Sequence, residues 1–248
     1  MKLGVLTAIW KRPRLTELFL RYTELLPFEV LVAVVSPEDP TLPDIRAGQW
    51  QFVEHKNEPL ADKFLAGAAA LRGQCDAVMI LGSDDFVTLD YIEHCCSLLT
   101  GGPQMIVPRH IHYFDAIKCR LMRIRHRHPG AGRVLSAELC ERLKWELWKR
   151  EDGNVDGSMD ARMKEVIGDR WKEHYTYIED PVGVILDVKT KLTQWSYQYL
   201  RDGAHVDATK QYLSIEPAPF LEATFPQIAH TLLNWNAVRS NADGRKAA

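Results

Sequence analysis

Ala77-Val-Met-Ile-Leu-Gly-Ser-Asp-Asp-Phe-Val87 is a short apolar run that passes directly into two adjacent carboxylates, and the fold is read outward from it. An apolar run of this length is a buried strand, and carboxylates at its end put negative charge at the edge of a sheet. Desolvation makes such charge costly unless a cation neutralises it. A hard divalent ion held by carboxylate and phosphate oxygens is one partner of that kind. The structural alternative is an Asp-Asp turn that caps a helix around Leu89.

Upstream, the chain alternates short apolar runs (Leu3 to Ile9, Val30 to Val35) with stretches of helical spacing. Leu15, Leu18, Phe19, Tyr22, Leu25 and Leu26 recur at three- and four-residue steps, as do Leu60, Phe64, Leu65, Ala68 and Leu71, so each set lies on one helical face. Strands separated by helices of this length predict a Rossmann-type α/β layer, a mostly parallel sheet flanked by helices. Ligands of such sheets bind beyond the carboxyl ends of the strands. The segments there are Thr7 to Pro13, Ser36 to Pro40, His55 to Glu58 and Gly82 to Asp85, all rich in polar groups. The second half is less regular. Met105 to Pro108 and Val182 to Val188 read as strands, Ser136 to Lys149 as an amphipathic helix with Ser136 as N-cap, and Ser158 to Ile167 as a further helix.

The 248 residues carry 31 Lys plus Arg against 33 Asp plus Glu, a formal charge of -2, which argues against a globally basic nucleic-acid binder. No apolar run reaches the roughly 18 residues a membrane helix needs, and the N-terminus lacks the pattern of a signal peptide. Five cysteines without CxxC spacing predict reduced thiols and a cytoplasmic protein. Residues 1–239 are expected to form one domain and 240–248 a disordered tail.

The succession Thr7 to Pro13, Ser36 to Pro40, Asn57 to Ala70 and Ile80 to Val87 resembles the nucleotide-binding half of GT-A fold glycosyltransferases, especially the family 2-like group. There a strand ends in an Asp-x-Asp metal motif commonly written Leu-Asp-Ser-Asp-Asp, where this chain has Leu81-Gly82-Ser83-Asp84-Asp85. The resemblance implies a nucleotide-sugar-binding half over 1–110 and an acceptor-side half over 111–239. It implies an inverting, metal-assisted transfer of sugar from a nucleoside diphosphate to an acceptor hydroxyl, with Mn²⁺ or Mg²⁺ as cofactor. Carried over, Thr7, Ala8, Trp10, Arg12, Asp39, Lys63, Ser83 and Asp84 face the nucleotide sugar. Asp84, Asp85 and His205 are the metal ligands, and Asp156, with Asp160 in reserve, is the catalytic base. Gly130 to Ser136 resembles the Gly-rich loop before the acceptor-side helix. Gly82 departs from the pattern, standing where the family has an aspartate.

Between Arg109 and Arg133 there are seven Lys/Arg and four His against one carboxylate, Asp115. Arg120, Arg123, Arg125 and Arg127 are read as alternating along one face of a strand. They would hold the donor diphosphate or a polyanionic acceptor such as DNA with hydroxymethylated bases; a solvated edge strand is the structural alternative. Two further readings stay open: nucleotidyl transfer on a similar sheet, and a nucleotide-sugar-binding module without turnover.

Overall fold

A computed structural model describes residues 1–39, 48–101, 104–126, 129–149, 155–179, 182–192, 197–202 and 212–237. Of residues 155–157, 199, 201, 202 and 212 it describes the backbone alone. The first strands are β1 (Leu3–Ala8), β2 (Val30–Val35), β3 (Gln51–Glu54) and β4 (Ala77–Ile80), connected by helices α1 (Pro13–Thr23) and α2 (Leu60–Leu71). They pair in parallel in the order β4-β1-β2-β3. Beyond β4 the sheet continues through β9 (Arg133–Ser136) and β6 (Met105–Pro108) to β10 (Tyr175–Ile178), giving seven strands in which β9 alone runs antiparallel to its neighbours.

Alternation along these strands divides the core into two layers. Leu3, Val5, Leu31, Ala33, Val35, Ala77 and Met79 join the layer that contains α1, where Leu15, Phe19 and Tyr22 are buried. Leu6, Val30, Val32, Val34, Val78 and Ile80 face the layer that contains α2. Burying a Val or Leu side chain completely contributes about 1.5–3 kcal/mol, so the six buried residues of β2 anchor the sheet from both sides. Gly67 lets α2 seat closely, since a Cβ there would lie 2.4 Å from Leu6 Cδ1 and 2.5 Å from Val34 Cγ2.

A second sheet of five strands covers the α1 side of the molecule. Its order is β12 (Tyr212–Ile215), β8 (Arg120–Arg125), β7 (His110–Asp115), β11 (Ile185–Lys189) and β5 (Asp85–Val87). Helix α3 (Leu89–Thr100) follows β5, while α4 (Ala137–Arg142) and α5 (Val155–Ile167) follow β9. A short α6 (Tyr197–Asp202) precedes β12, and α7 (Pro217–Thr224) and α8 (Pro226–Leu233) come last. Arg14 on α1 donates to the Trp235 carbonyl at 2.6 Å and stacks on its ring, tying the end of α8 to the start of the chain.

The sheet and its flanking helices agree with the sequence expectation, and four details differ. Helix α1 stops at Thr23, leaving Leu25 outside it and 70% exposed, so the apolar face is shorter than its spacing predicts. Ser136 does cap α4, its Oγ accepting from the Leu139 amide at 3.1 Å. That helix ends at Arg142, however, because Lys144 and Trp145 take positive φ values of 57° and 59°. Gly130 to Ser136 is no loop throughout: Arg133 to Ser136 is a central strand. The irregular second half contains most of an entire sheet. The proposed tail, 240–248, lies outside the described residues.

Candidate functional site

The carboxyl ends of β1, β2 and β4 carry three loops that bind one another. Lys11, in the loop after β1, adopts φ 49°, and its amide donates to Asp39 Oδ2 at 2.6 Å. A lysine in that region of backbone space is unfavourable without such a hold. The next residue, Arg12, reaches across to the loop after β4, with Nη1 2.7 Å from Asp84 Oδ2 and Nη2 donating to Ser83 Oγ at 3.0 Å. From α2, Lys63 is fully buried and donates from Nζ to the Ile9 carbonyl and, at 3.1 Å, to Asn57 Oδ1. Burial pushes its ammonium down to about 8, with the Asp39 carboxylate opposing and the Arg12 guanidinium reinforcing the shift. Trp10 stands half-buried between Lys11 Nζ, 4.5 Å from the ring centroid, and Lys63 Nζ, 5.7 Å away. Ala8 is half-buried, whereas Thr7 is fully buried and its Oγ1 has no hydrogen-bond partner.

The two neighbouring acids do not cap a helix. Asp85 begins β5, and α3 starts later, after Thr88, with no side-chain cap. The antiparallel pairing of β5 with β11 sets Asp187 opposite Asp85, and the Val188 amide donates to the Asp84 carbonyl at 2.9 Å. Ligand oxygens of Asp84, Asp85 and Asp187 therefore lie within 4.8 Å of one another. Lys189, two residues along β11 and on the same face, places Nζ 2.6 Å from Asp187 Oδ2 and 3.9 Å from Asp84 Oδ2. Sequence reasoning missed Asp187 and Lys189. Their signal was available: Ile185-Leu186-Asp187-Val188-Lys189 puts an acid and a base two apart inside a run otherwise apolar enough to be buried.

Gly82, the departure from the family pattern, has a local reason. Its amide donates to Asp85 Oδ2 at 2.6 Å, and a Cβ on it would stand 2.8 Å from Asp84 Oδ1 and 2.9 Å from Asp85 Oδ2. Both carboxylates occupy the space that a side chain at position 82 would need.

Burial, then repulsion from Asp187 and Asp84, holds the Asp85 carboxyl well above the usual carboxylate range. Burial also pushes Asp187 up to about 6, with Lys189 opposing and Asp84 reinforcing. For Lys189, burial acts to lower the pKa, but the carboxylates of Asp187, Asp84 and Asp85 outweigh it and raise it. Three oxygen donors at this spacing suit a hard divalent cation. Asp187 Oδ1, buried and without a hydrogen-bond partner, is the kind of orphaned atom such an ion would satisfy. The cluster fits the metal that the sequence resemblance implies.

The remaining expected residues distribute as follows. Asp160 on α5 accepts from Arg133 Nη1 and Tyr175 Oη, each at 2.9 Å. Helix α5 begins at Val155, early enough to put positions 156 and 160 on one face, while the Asp156 side chain lies outside the described residues. His205 and Arg127 lie outside them as well. The expected one-sided row of arginines is corrected by β8 itself. Positions 120 and 123 have opposite parity, so Arg120 projects from the other face of the strand than Arg123 and Arg125. Arg120 pairs with Asp115 at 2.9 Å and Arg125 with Glu179 at 3.3 Å, which turns part of this charge inward onto the protein. Among the described residues no helix is long and apolar enough to cross a membrane.

No protein-family model and no curated protein sequence matches the chain. Solved structures do. Staphylococcus aureus TarS residues 1–349 in complex with UDP-GlcNAc superposes with a TM-score of 0.55 at 11% identity, covering 90% of this chain and 64% of that one. The complex with UDP gives 0.55 at 11% identity, covering 77% and 61%. A 4-diphosphocytidyl-2C-methyl-D-erythritol synthase from Anaerococcus prevotii gives 0.49 at 11% identity, covering 71% and 86%, a score that bears no weight. The chain spans less than two thirds of the length of the TarS structures. At these identities the likeness concerns the fold: a mostly parallel seven-stranded sheet flanked by helices, of the GT-A-like kind.

Proposed function

We propose that the protein is a nucleotide-sugar-dependent glycosyltransferase of the family 2-like type, transferring a sugar from a nucleoside diphosphate to an acceptor hydroxyl with inversion. One observation carries the reading. Arg12, Ser83, Asp84, Asp85 and Asp187 converge at the carboxyl edge of the central strands, where ligands of such sheets bind. TarS, similar in fold, has been solved with UDP-GlcNAc, which supports a nucleotide-sugar ligand at that edge.

In this reading Trp10 and Ala8 present the apolar surface for the nucleobase, Asp39 and Lys63 fix the loop beneath it, and Arg12 orients Asp84. Asp84, Asp85 and Asp187 would hold Mn²⁺ or Mg²⁺, which when bound supplies positive charge to the diphosphate leaving group. The two partners of Asp160 favour a positioning role, so Asp156 is the residue proposed to take the acceptor proton. Residues 1–239 are proposed to act as one unit. The donor half (1–110) and acceptor half (111–239) meet where Asp187 lies beside Asp84 and Asp85. Of the basic stretch, Arg123 and Arg125 share a face of β8 and, together with Arg127, are proposed to contact a polyanionic acceptor.

Thermal-shift titration with UDP, GDP, CMP and TDP, each with and without Mn²⁺, tests the donor class, because a ligand of the folded form raises Tm. Release of nucleoside diphosphate from a sugar donor then tests turnover. Asp84→Ala is expected to abolish release while the fold persists; full turnover in that variant and in EDTA would remove the metal and its ligands from the reaction.

A further inference from the structure

The Lys189 ammonium stands beside the acidic cluster. The side chain is 7% exposed, and its ammonium is 2.6 Å from Asp187 Oδ2 and 3.9 Å from Asp84 Oδ2. The Tyr113 ring, on the neighbouring strand β7, has its centroid 5.7 Å from Nζ. Arg12 already occupies Asp84 Oδ2 at 2.7 Å. With all three carboxylates ionised the cluster carries three negative charges, and these two side chains return two positive ones. A divalent ion arriving alone therefore meets little net attraction, and in a site this dry it must also displace a buried ammonium. A diphosphate arriving with the ion restores the missing negative charge and adds oxygen ligands.

We propose that Lys189 is a tethered counter-ion of the acidic cluster that keeps the bare site closed to divalent cations and admits them together with a nucleoside diphosphate. The diphosphate part of this inference rests on the donor reading above; competition between Lys189 and the metal does not. The lysine thereby acts as a positioning residue in the resting state and sets the order of loading.

The free Mn²⁺ signal in electron paramagnetic resonance measures metal binding without turnover. Wild type, Lys189→Met, Lys189→Gln and Lys189→Arg are titrated with Mn²⁺ alone and with Mn²⁺ plus UDP, after circular dichroism has confirmed folding. Mn²⁺ alone is expected to bind the Met and Gln variants at least about tenfold more tightly than wild type, with Arg staying within about threefold of it. UDP should tighten Mn²⁺ binding to wild type by at least about tenfold. Equal Mn²⁺ affinity in wild type and the neutral variants would overturn the proposal. Should the neutral variants not fold, the wild type decides: tight Mn²⁺ binding that UDP leaves unchanged overturns it. A gain of Mn²⁺ binding in the neutral variants, with UDP bound by no protein, would refute the donor reading and support the lysine's role.

Discussion

Gly82→Ala adds one methyl group at the point where two buried carboxylates converge. The new Cβ would lie 2.8 Å from Asp84 Oδ1 and 2.9 Å from Asp85 Oδ2, about half an ångström inside normal contact. Neither side chain can swing away freely: Arg12 holds the other oxygen of Asp84, and the Gly82 amide itself holds Asp85 Oδ2. Overpacking of this kind costs about 1–3 kcal/mol. Loosening a hydrogen bond to a charged group costs about 1.5–3 kcal/mol if it is lost and part of that if it only lengthens. A total of about 2–4 kcal/mol follows, or a fall in Tm of roughly 4–16 °C for a chain of this size. Urea unfolding followed by tryptophan fluorescence measures it, with the slope checked for constancy. Gly82→Asp, which restores the residue usual in the resembled family, should be worse than alanine, because it adds a fourth carboxylate to three that already repel. A stability change under about 0.5 kcal/mol for alanine, or a gain for aspartate, would refute the account of why glycine stands here.

Other expectations address the rest of the molecule. Burial, assisted by the Arg123 charge, holds His112 down to about 4, so between pH 6.5 and 4 the unfolded chain binds a proton that the folded one refuses. Stability should accordingly fall as the pH drops through that window, by at most about 3 kcal/mol. His112→Phe, which keeps the stacking on Phe220, should flatten the loss between pH 7 and pH 4.5; an unchanged slope would place the acid sensitivity elsewhere. Asp160→Asn leaves the Arg133 guanidinium, 1% exposed, without its carboxylate, and should cost about 3–5 kcal/mol in thermal unfolding. An unchanged Tm with kcat abolished would instead make Asp160 the base.

Local information sufficed for the parallel strands β1, β2 and β4 of the first sheet, but not for β9 and β10. Runs such as Val30 to Val35 are too apolar to be anything but doubly covered strands, and Leu60 to Leu71 shows its buried face in its spacing. Ser136 announces a helix start through a hydroxyl that needs only the next turn. Half of the acidic site was legible for the same reason, since Asp84 and Asp85 follow directly from the strand before them. Asp187 was not, because its arrival depends on the register between β5 and β11, set by residues about a hundred positions apart. The arginine row failed on arithmetic: a period of two separates Arg120 from Arg123 and Arg125. The end of α4 was invisible because nothing in Lys144-Trp145 favours left-handed backbone; the surrounding core imposes it.

The pairing of β5 with β11 also dictates when the site comes into being. During synthesis, Asp84 and Asp85 emerge long before residues 185–189, so a nascent chain that ends short of them holds its acids without the third carboxylate or the lysine. The complete acidic cluster at this crevice is consequently a late acquisition of the polypeptide, supplied by the strand that joins β5 to β7 in the second sheet. A fragment of the first 180 residues lacks Asp187 and Lys189 and so has no means of assembling the acidic cage.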